Sequence, residues 1–256
     1  MALRAKWCML APSMNPYESQ ELVDQYLAFH YAAPKDYLPW DMGPESALNF
    51  AVRTVEEGFD FSRLESKERA LDLGCAVGRS SFELSCHVRE VVGIDFSAAF
   101  VAAAEEMRSR QAMDIRLHME GNEFKSVRTS LPELDNCGAV NFEVGDATDL
   151  RDDLGEFDLV HAANLICRLP EPEALLGRLP SLVRAGGQLV ITTPCTWLGE
   201  FTPPEKWPKG PTLEWLQQHL NGSFTLEHKA DVPFLICETA RKYQWTVSQL
   251  SRWRRK

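Results

Sequence analysis

The sequence predicts a doubly wound α/β fold: a mostly parallel sheet with an antiparallel C-terminal strand and an N-terminal helical cap. Three observations carry this. From residue 69, short apolar runs alternate with helical patterns, the grammar of parallel strands joined by crossover helices. The first run breaks into a glycine-containing turn in "ALDLGCAVGRSS" (70–81), read as strand, loop and helix. After "RAGGQLVITTP" (184–194) the alternation stops, and two strand-like stretches close the chain.

Taken in order, "ESQELVDQYLAFHY" (18–31) places Leu22, Tyr26, Phe29 and His30 at helical spacing, an amphipathic helix ahead of the sheet. "KDYLPWDMGP" (35–44) reads as a loop. "ESALNFAVRTVEEGF" (45–59) reads as a second helix, with Leu48, Ala51, Val52 and Val55 on its apolar face and Gly58 near its end. Strands are predicted at 69–73, 90–94, 140–144, 157–161 and 187–193, and helices at 79–86, 97–111 and 171–183. Residues 113–139, charged and weakly patterned, read as a surface excursion. "SFTLEHKADV" (223–232) and "YQWTVSQLSRW" (243–253) read as two further, antiparallel strands. One domain is expected over 1–256, with a helical cap at 1–60, a sheet core at 61–194 and a pocket-lining extension at 195–256.

At 256 residues the chain is long enough to bury a real core. Its 27 Lys and Arg against 37 Asp and Glu give a net charge of −10, a surface that repels polyanions and argues against a nucleic-acid partner. "RWRRK" (252–256) reads as a solvated tail. No stretch approaches the roughly 20 apolar residues that cross a bilayer, so no membrane partner is expected. "MALRAKWCMLAPSMNPYE" (1–18) reads as a leader without secretion function, its apolar part being short and interrupted. Cysteines at 8, 75, 86, 137, 167, 195 and 237 form no CxxC and no metal-like pairing with His. Reduced thiols in a cytoplasmic protein, and no metal site, are the expectation.

In a strand–loop–helix turn the first glycine permits the tight turn and the second lets backbone approach a pyrophosphate, which the helix dipole then favours. Here Gly74 and Gly78 stand in place, but Ala76 sets a methyl group at the closest approach, and the helix opens with "RSS" rather than a lysine. Phosphate cradling is disfavoured. A nucleoside without phosphate, S-adenosylmethionine, suits the loop better. Asp95 in "VVGIDFS", about twenty residues on, is placed to accept hydrogen bonds from both ribose hydroxyls. Asp146 in "EVGDATD" would meet the adenine amino group. The expected cofactor-binding set is Asp72, Gly74, Cys75, Ala76, Gly78, Asp95, Phe96, Ser97, Asp146, Ala147 and Asn164. Asp158 reads as a cap or turn former, and His161 as a residue inside the sheet.

Residues 69–194 resemble the class I S-adenosylmethionine-dependent methyltransferases, with their Rossmann-like sheet. A narrower resemblance lies in "NPYESQELVDQYLAFHY" (15–31), "LDLGCAVGRSSFELS" (71–85), "CTWLGEFTPPEKW" (195–207) and "VPFLICETARKYQWTVSQLSRWRR" (232–255). These segments are similar to the methyltransferase domain of ovothiol biosynthesis, the 5-thiohistidine N-methyltransferases. Two positions depart from that pattern: Cys195 where the family has Tyr before "TW", and Cys237 where it has Arg before "ETARK".

The resemblance implies a small histidine derivative, 5-thiohistidine or its selenium analogue, methylated on a ring nitrogen. Arg241 or Lys242 would then pair with the substrate carboxylate, and Glu238 would hold its ammonium. Asn164 would bond cofactor or imidazole. Tyr17, His30 and Tyr31 would close over the ligand, and Trp197, Phe201 and Trp245 would wall it. His30 and Tyr31 are the candidates for a general base, although a neutral imidazole with a free lone pair needs none. Competing readings stay open for some of these. Trp245, alternating with Val247, reads rather as core, and Glu238 with Arg241 reads equally as a surface pair on a helical turn. Three other functions also remain: methyl transfer to another small acceptor at O or S, a nicotinamide-dependent dehydrogenase, and a non-catalytic cofactor-binding subunit. Ala76 and Asp146 weigh against the dehydrogenase.

Overall fold

The computed structural model describes residues 15–134 and 136–256. Residues 1–14 of the expected leader, with Cys8, lie outside the described residues. The chain enters through a 3-10 turn at Pro16–Glu18, then α1 (Gln20–Tyr31), α2 (Pro34–Tyr37) and α3 (Phe50–Glu56). There follow β1 (Arg69–Leu73), α4 (Arg79–Ser85), β2 (Glu90–Asp95), α5 (Ala98–Arg110), β3 (Ala112–Glu120), β4 (Glu123–Ser130) and β5 (Ala139–Val144). The last third contains β6 (Phe157–Ala163), α6 (Pro172–Leu182), β7 (Val183–Thr193), α7 (Thr212–Leu220), β8 (Phe224–Thr239) and β9 (Lys242–Arg255).

Seven strands form one sheet in the order β5-β2-β1-β6-β7-β9-β8. The first five are mutually parallel, and β9 runs antiparallel to both β7 and β8. Strands β1 and β6 are buried along almost their whole length, which is why they read as continuous apolar runs rather than as alternation. Alternate side chains feed two apolar layers. Leu71, Leu73, Val160 and Ile191 pack with α6, α7 and Trp253 on one face. Ala70, Leu159 and Val190 pack with the N-terminal helices, α4 and α5 on the other. Each fully buried large side chain contributes about 1.5–3 kcal/mol. Asp158 is a turn former: its carboxylate accepts from the Glu68 and Arg69 amides, both at 2.9 Å, and pairs with Arg184 at 2.7 Å.

Several stretches differ from the sequence reading. "RWRRK" (252–256), expected as a solvated tail, runs in β9 with Trp253 fully buried, and the helix expected over 45–59 is a 3-10 turn at Glu45–Ala47 followed by α3. Residues 113–139 are no simple excursion, because β3 and β4 pair as an antiparallel hairpin. Ile115, Leu117, Val127 and Thr129 form its buried face, while Asp114, Arg116 and Arg128 on the outer face hid the period of two. Helix α7 went unread, although Thr212, Trp215, Leu216 and Leu220 bury one helical stripe. The loop at 35–44 overlaps a single turn, α2. On α1 the fully buried stripe is Val23, Leu27, Ala28 and Tyr31, with Tyr26 and Phe29 partly buried beside it.

The hairpin β8–β9 is longer than expected, and its register shows where it goes. Thr193 at the end of β7 pairs with Gln249, so residues 232–248 run on past the carboxyl edge of the parallel strands. There the hairpin tip docks on four other elements. The Tyr37 hydroxyl donates to Leu235 O at 2.8 Å and accepts from the Cys237 amide at 2.9 Å. Gln25 Nε2 donates to Cys237 O at 2.8 Å, and the Ala240 amide to His118 O of β3 at 3.1 Å. Phe234 packs between Phe29 and Phe50. Two hairpin tips and α1 thus form a cap over the carboxyl edge. Among the described residues no helix is long and apolar enough to cross a membrane.

Candidate active site at the carboxyl edge

Strand β1 has β2 on one side and β6 on the other, so its crossovers leave in opposite directions and open a crevice at its carboxyl end. The loop after it is tightly specified. Gly74 adopts φ +69° and Gly78 φ +88°, a region L side chains rarely visit. A Cβ on Gly78 would fall 2.6 Å from the Phe142 ring and 3.0 Å from Ala104, so that glycine serves helix packing. Ala76 takes φ 48°, the left-handed conformation of the glycine it replaces, at a cost of roughly 1–2 kcal/mol. Its surroundings hold it there. The Ala76 amide donates to Asp95 Oδ2 at 2.9 Å, the Gly74 and Cys75 amides both donate to Ile94 O, and the Tyr31 hydroxyl donates to Val77 O at 2.7 Å. The loop keeps its glycine shape but spends its middle amide on a carboxylate.

That carboxylate is half-buried at the end of β2. Its second oxygen accepts from the Ser97 amide at 2.9 Å. Burial pushes the Asp95 carboxyl up to about 6, against the pull of the two amides and with the charges of Asp72 and Glu18 adding to the rise. Each oxygen keeps a further lone pair for a hydroxyl donor. Phe96, 64% exposed, follows it. Asp146 sits in the turn after β5, where its Oδ1 accepts from the Thr148 amide and hydroxyl, both at 2.7 Å, with Ala147 buried next to it.

Several residues expected at the cofactor have structural partners of their own. Asp72 is fully buried, accepting from Ser80 Oγ, Ser81 Oγ and His161 Nδ1 at 2.8, 2.6 and 2.8 Å. Burial alone would raise its carboxyl, but those bonds, that of His161 foremost, hold it below the usual value. His161, inside the sheet as expected, reaches on to Thr54 Oγ1 at 3.1 Å. Cys75 is buried, and burial pushes its thiol well above the ordinary range. Ser97 caps α5, accepting from the Phe100 amide and donating to Tyr17 O. Asn164, at φ 53°, bonds Thr192 through its amide and accepts from Ser248 Oγ at 2.7 Å, joining β6, β7 and β9.

The inner face of the cap is aromatic. Tyr17 stacks on Phe201 at 6.2 Å and packs against Phe100 and Tyr26. The Arg168 guanidinium lies 5.2 Å from the Phe201 ring centroid, with Nη1 donating to Thr196 O at 2.8 Å. Burial raises the Tyr17 hydroxyl; Arg168 and Tyr26 pull it down, and Asp95 adds to the rise, so the four polar groups are neighbours. Tyr26 is pushed far up by burial. Sequence reasoning placed Tyr26 on a helix only and passed over Arg168. A cation four residues beyond Asn164, just past a strand's carboxyl end, was the available signal.

The candidate bases are not free. Tyr31 is committed to Val77 O. His30 Nδ1 is buried and unpartnered among the described residues, and burial with the nearby Arg79 charge, opposed by Asp72, pulls the imidazole down to about 3. It is neutral at physiological pH and a weak base. Three expected substrate contacts also lie elsewhere. Trp197 donates to Thr212 Oγ1 at 3.2 Å and meets Trp215 edge-on, on the α7 side. Glu238 pairs with Lys242 and Gln244, and the exposed Arg241 lies over Trp40 at 5.0 Å, on a β-turn rather than a helix. Trp245 is 57% exposed, which corrects its reading as core. Cys195 is exposed at φ 54°, whereas Cys237 is buried in the cap. Glu238 lines a cavity of about 190 Å³ with Gln20, Asp24, Arg116 and His118, on the face of α1 away from Tyr26 and His30. Among the described residues no cluster of three or more His, Cys, Asp or Glu could hold a metal ion.

A model of the methyltransferase domain matches residues 50–233. Among curated relatives, phosphoethanolamine N-methyltransferase 3 of Arabidopsis thaliana is 25% identical over 145 residues, 56% of this chain and 24% of that protein. The ubiquinone biosynthesis O-methyltransferase of Xanthomonas axonopodis pv. citri (strain 306) is 27% identical over 157 residues, 60% of this chain and 55% of that one. The chain thus spans from about a quarter to just over half of these relatives' lengths. Two solved structures share the fold. N-methyltransferase NodS of Bradyrhizobium japonicum WM9, in complex with S-adenosyl-L-homocysteine, gives a TM-score of 0.51 at 16% identity, over 91% of this chain and 98% of that one. Magnesium protoporphyrin IX methyltransferase of Synechocystis PCC 6803 gives 0.53 at 16% identity, over 87% and 93%. With the domain model covering most of the chain, from the cap to the C-terminal hairpin, this protein belongs to the methyltransferase domain family.

Proposed function

We propose that this protein is an S-adenosylmethionine-dependent small-molecule N-methyltransferase that methylates a ring nitrogen of 5-thiohistidine or its selenium analogue. One observation carries the acceptor half of this reading. The four segments of narrower resemblance, far apart in sequence, supply the 3-10 turn and α1, the glycine loop with α4, the stretch after β7 that contains Phe201, and the β8–β9 hairpin. All four contribute to one edge of the sheet.

For the cofactor, the donor set fits a phosphate-free nucleoside. Asp95 would take the ribose diol and Asp146 the adenine amine, while the amide a pyrophosphate would need is held by Asp95. When bound, the cofactor supplies an already activated methyl group, so the residues need chiefly to orient. Most of the rate then comes from holding the acceptor nitrogen about 3 Å from the methyl, in line with the departing sulfur. The thiolate is the softer nucleophile, and the cap must turn it away while presenting the nitrogen. Tyr17, Tyr26 and Phe201 exclude water from that contact. No general base is required, in keeping with a neutral His30 and a committed Tyr31.

A second reading, transfer to an oxygen acceptor, draws on the likeness to a ubiquinone biosynthesis O-methyltransferase. Incubation with methyl-labelled cofactor and 5-thiohistidine, with the new methyl located by mass spectrometry and NMR, separates the two. Label on a ring nitrogen is expected. Label on sulfur would overturn the selectivity argument, and no label on any histidine derivative would favour another acceptor.

A further inference from the structure

An amino-acid acceptor brings a carboxylate, and the cations expected to meet it are elsewhere: Arg241 is exposed against Trp40, and Lys242 pairs with Glu238. Arg168 is the cation present in the aromatic cluster beside Asp95. It ends the turn Ile166–Arg168, whose first two residues are buried, just past the carboxyl end of β6. Its guanidinium is half-buried and held, with Nη1 donating to Thr196 O at 2.8 Å and to Cys167 O at 3.1 Å, and with the Phe201 ring beneath it. Arg69, Arg79, Arg151 and Arg184 each pair with a carboxylate. Arg168, among the described residues, pairs with none. Its backbone bonds all run through Nη1, and the Tyr17 hydroxyl is a side-chain partner of the same guanidinium, so a carboxylate held in the side-on bidentate mode would meet the Nε–Nη2 edge next to that hydroxyl.

We infer that Arg168 anchors the acceptor's carboxylate through its Nε–Nη2 edge, with the Tyr17 hydroxyl as a second donor. This rests on the amino-acid acceptor proposed above. Burial keeps the Tyr17 hydroxyl protonated and able to donate. The fixed guanidinium would set the acceptor's orientation, so that the ring is placed by its amino-acid end rather than by its sulfur. The other source of the same chemistry is the carboxylate of the cofactor's own methionyl group.

The test is calorimetric titration of the full chain, loaded with S-adenosylhomocysteine, with 5-thiohistidine and with its methyl ester. Wild type, Arg168→Gln and Arg168→Lys are compared. Wild type should prefer the acid by about tenfold, the scale of a charge-assisted bond. Arg168→Gln should abolish that preference, Arg168→Lys should keep part of it, and S-adenosylhomocysteine affinity should stay within about twofold in both. Unchanged S-adenosylhomocysteine affinity also shows that the variants fold. If the preference survives Arg168→Gln, or wild type binds acid and ester equally, the inference is wrong. Loss of S-adenosylhomocysteine affinity on substitution would reassign Arg168 to the cofactor and overturn it equally. If wild type binds S-adenosylhomocysteine but neither acid nor ester, the thiohistidine reading itself fails and this inference falls with it.

Discussion

The glycine loop and the cap above it meet at Asp95 and Tyr17, yet they are assembled in different ways. The loop side lies within residues 70–97 and is held by short-range backbone bonds: amides on Ile94 O, an amide on Asp95, a serine capping its own helix. The cap side joins Tyr17, Tyr26, Arg168, Phe201 and the hairpin tip through contacts that span the chain. A site half fixed by backbone hydrogen bonds between neighbouring segments and half by packing across the chain can keep one cofactor while its acceptor changes. The loop should therefore respond to substitution in stability and cofactor affinity, and the cap in acceptor selection.

The largest effect is expected at Asp72. Asp72→Ala leaves His161 and two serine hydroxyls buried without their acceptor, and should cost about 3–5 kcal/mol by denaturant unfolding. A cost below about 1 kcal/mol would undo its role as a tie and return it to the crevice. Next, Asp95→Ala should weaken S-adenosylhomocysteine binding at least about tenfold, roughly 1.4 kcal/mol, with the fold retained. Unchanged affinity would remove Asp95 from the ribose role.

The raised Asp95 carboxyl makes a third test, and its sign is definite. The folded chain without ligand takes up a proton near pH 6, above an unfolded aspartate at 3.8. The shift therefore disfavours the fold above about pH 6 and is relieved as pH falls from 6 toward 4. Ligand binding runs the other way, because the diol needs the ionised acceptor. Affinity should drop about tenfold from pH 7 to pH 5, and Asp95→Asn should flatten that slope. A wild-type profile that is already flat would separate Asp95 from the ligand.

The sequence made the loop side legible because its signals are local. A missing glycine, a carboxylate at a strand end and buried apolar runs each announce themselves within a few residues. Even there Asp72 and Ser97 could not be sorted between ligand contact and structural tie, since an acid or hydroxyl beside a binding loop looks the same whether it faces the crevice or the core. The cap was largely illegible. Arg168 acquires meaning only from Thr196 and Phe201, some thirty residues away. Charged outer positions masked the β3–β4 hairpin, and Arg241, which read equally as an anchor and as part of a surface pair, stands exposed on the hairpin turn against Trp40.

Smaller effects sharpen the contrast further. Tyr31→Phe removes the hydroxyl bond to Val77 O and should cost about 1 kcal/mol of stability, with cofactor affinity lowered and the acceptor's KM unmoved at saturating cofactor. An effect confined to the acceptor's KM would move Tyr31 back to the cap. Ala76→Gly exchanges left-handed strain for chain entropy and should change the unfolding free energy by no more than about 1 kcal/mol. A loss well beyond that would mean the methyl group makes packing contacts the loop depends on.

The most direct measurement is a calorimetric titration of the wild-type chain with S-adenosylhomocysteine and, separately, with NADH. Saturable binding of S-adenosylhomocysteine at one site per chain, and no binding of NADH, is the predicted result. Tight binding of the dinucleotide with none of the sulfur nucleoside would contradict the account of a crevice made for a sugar without phosphate.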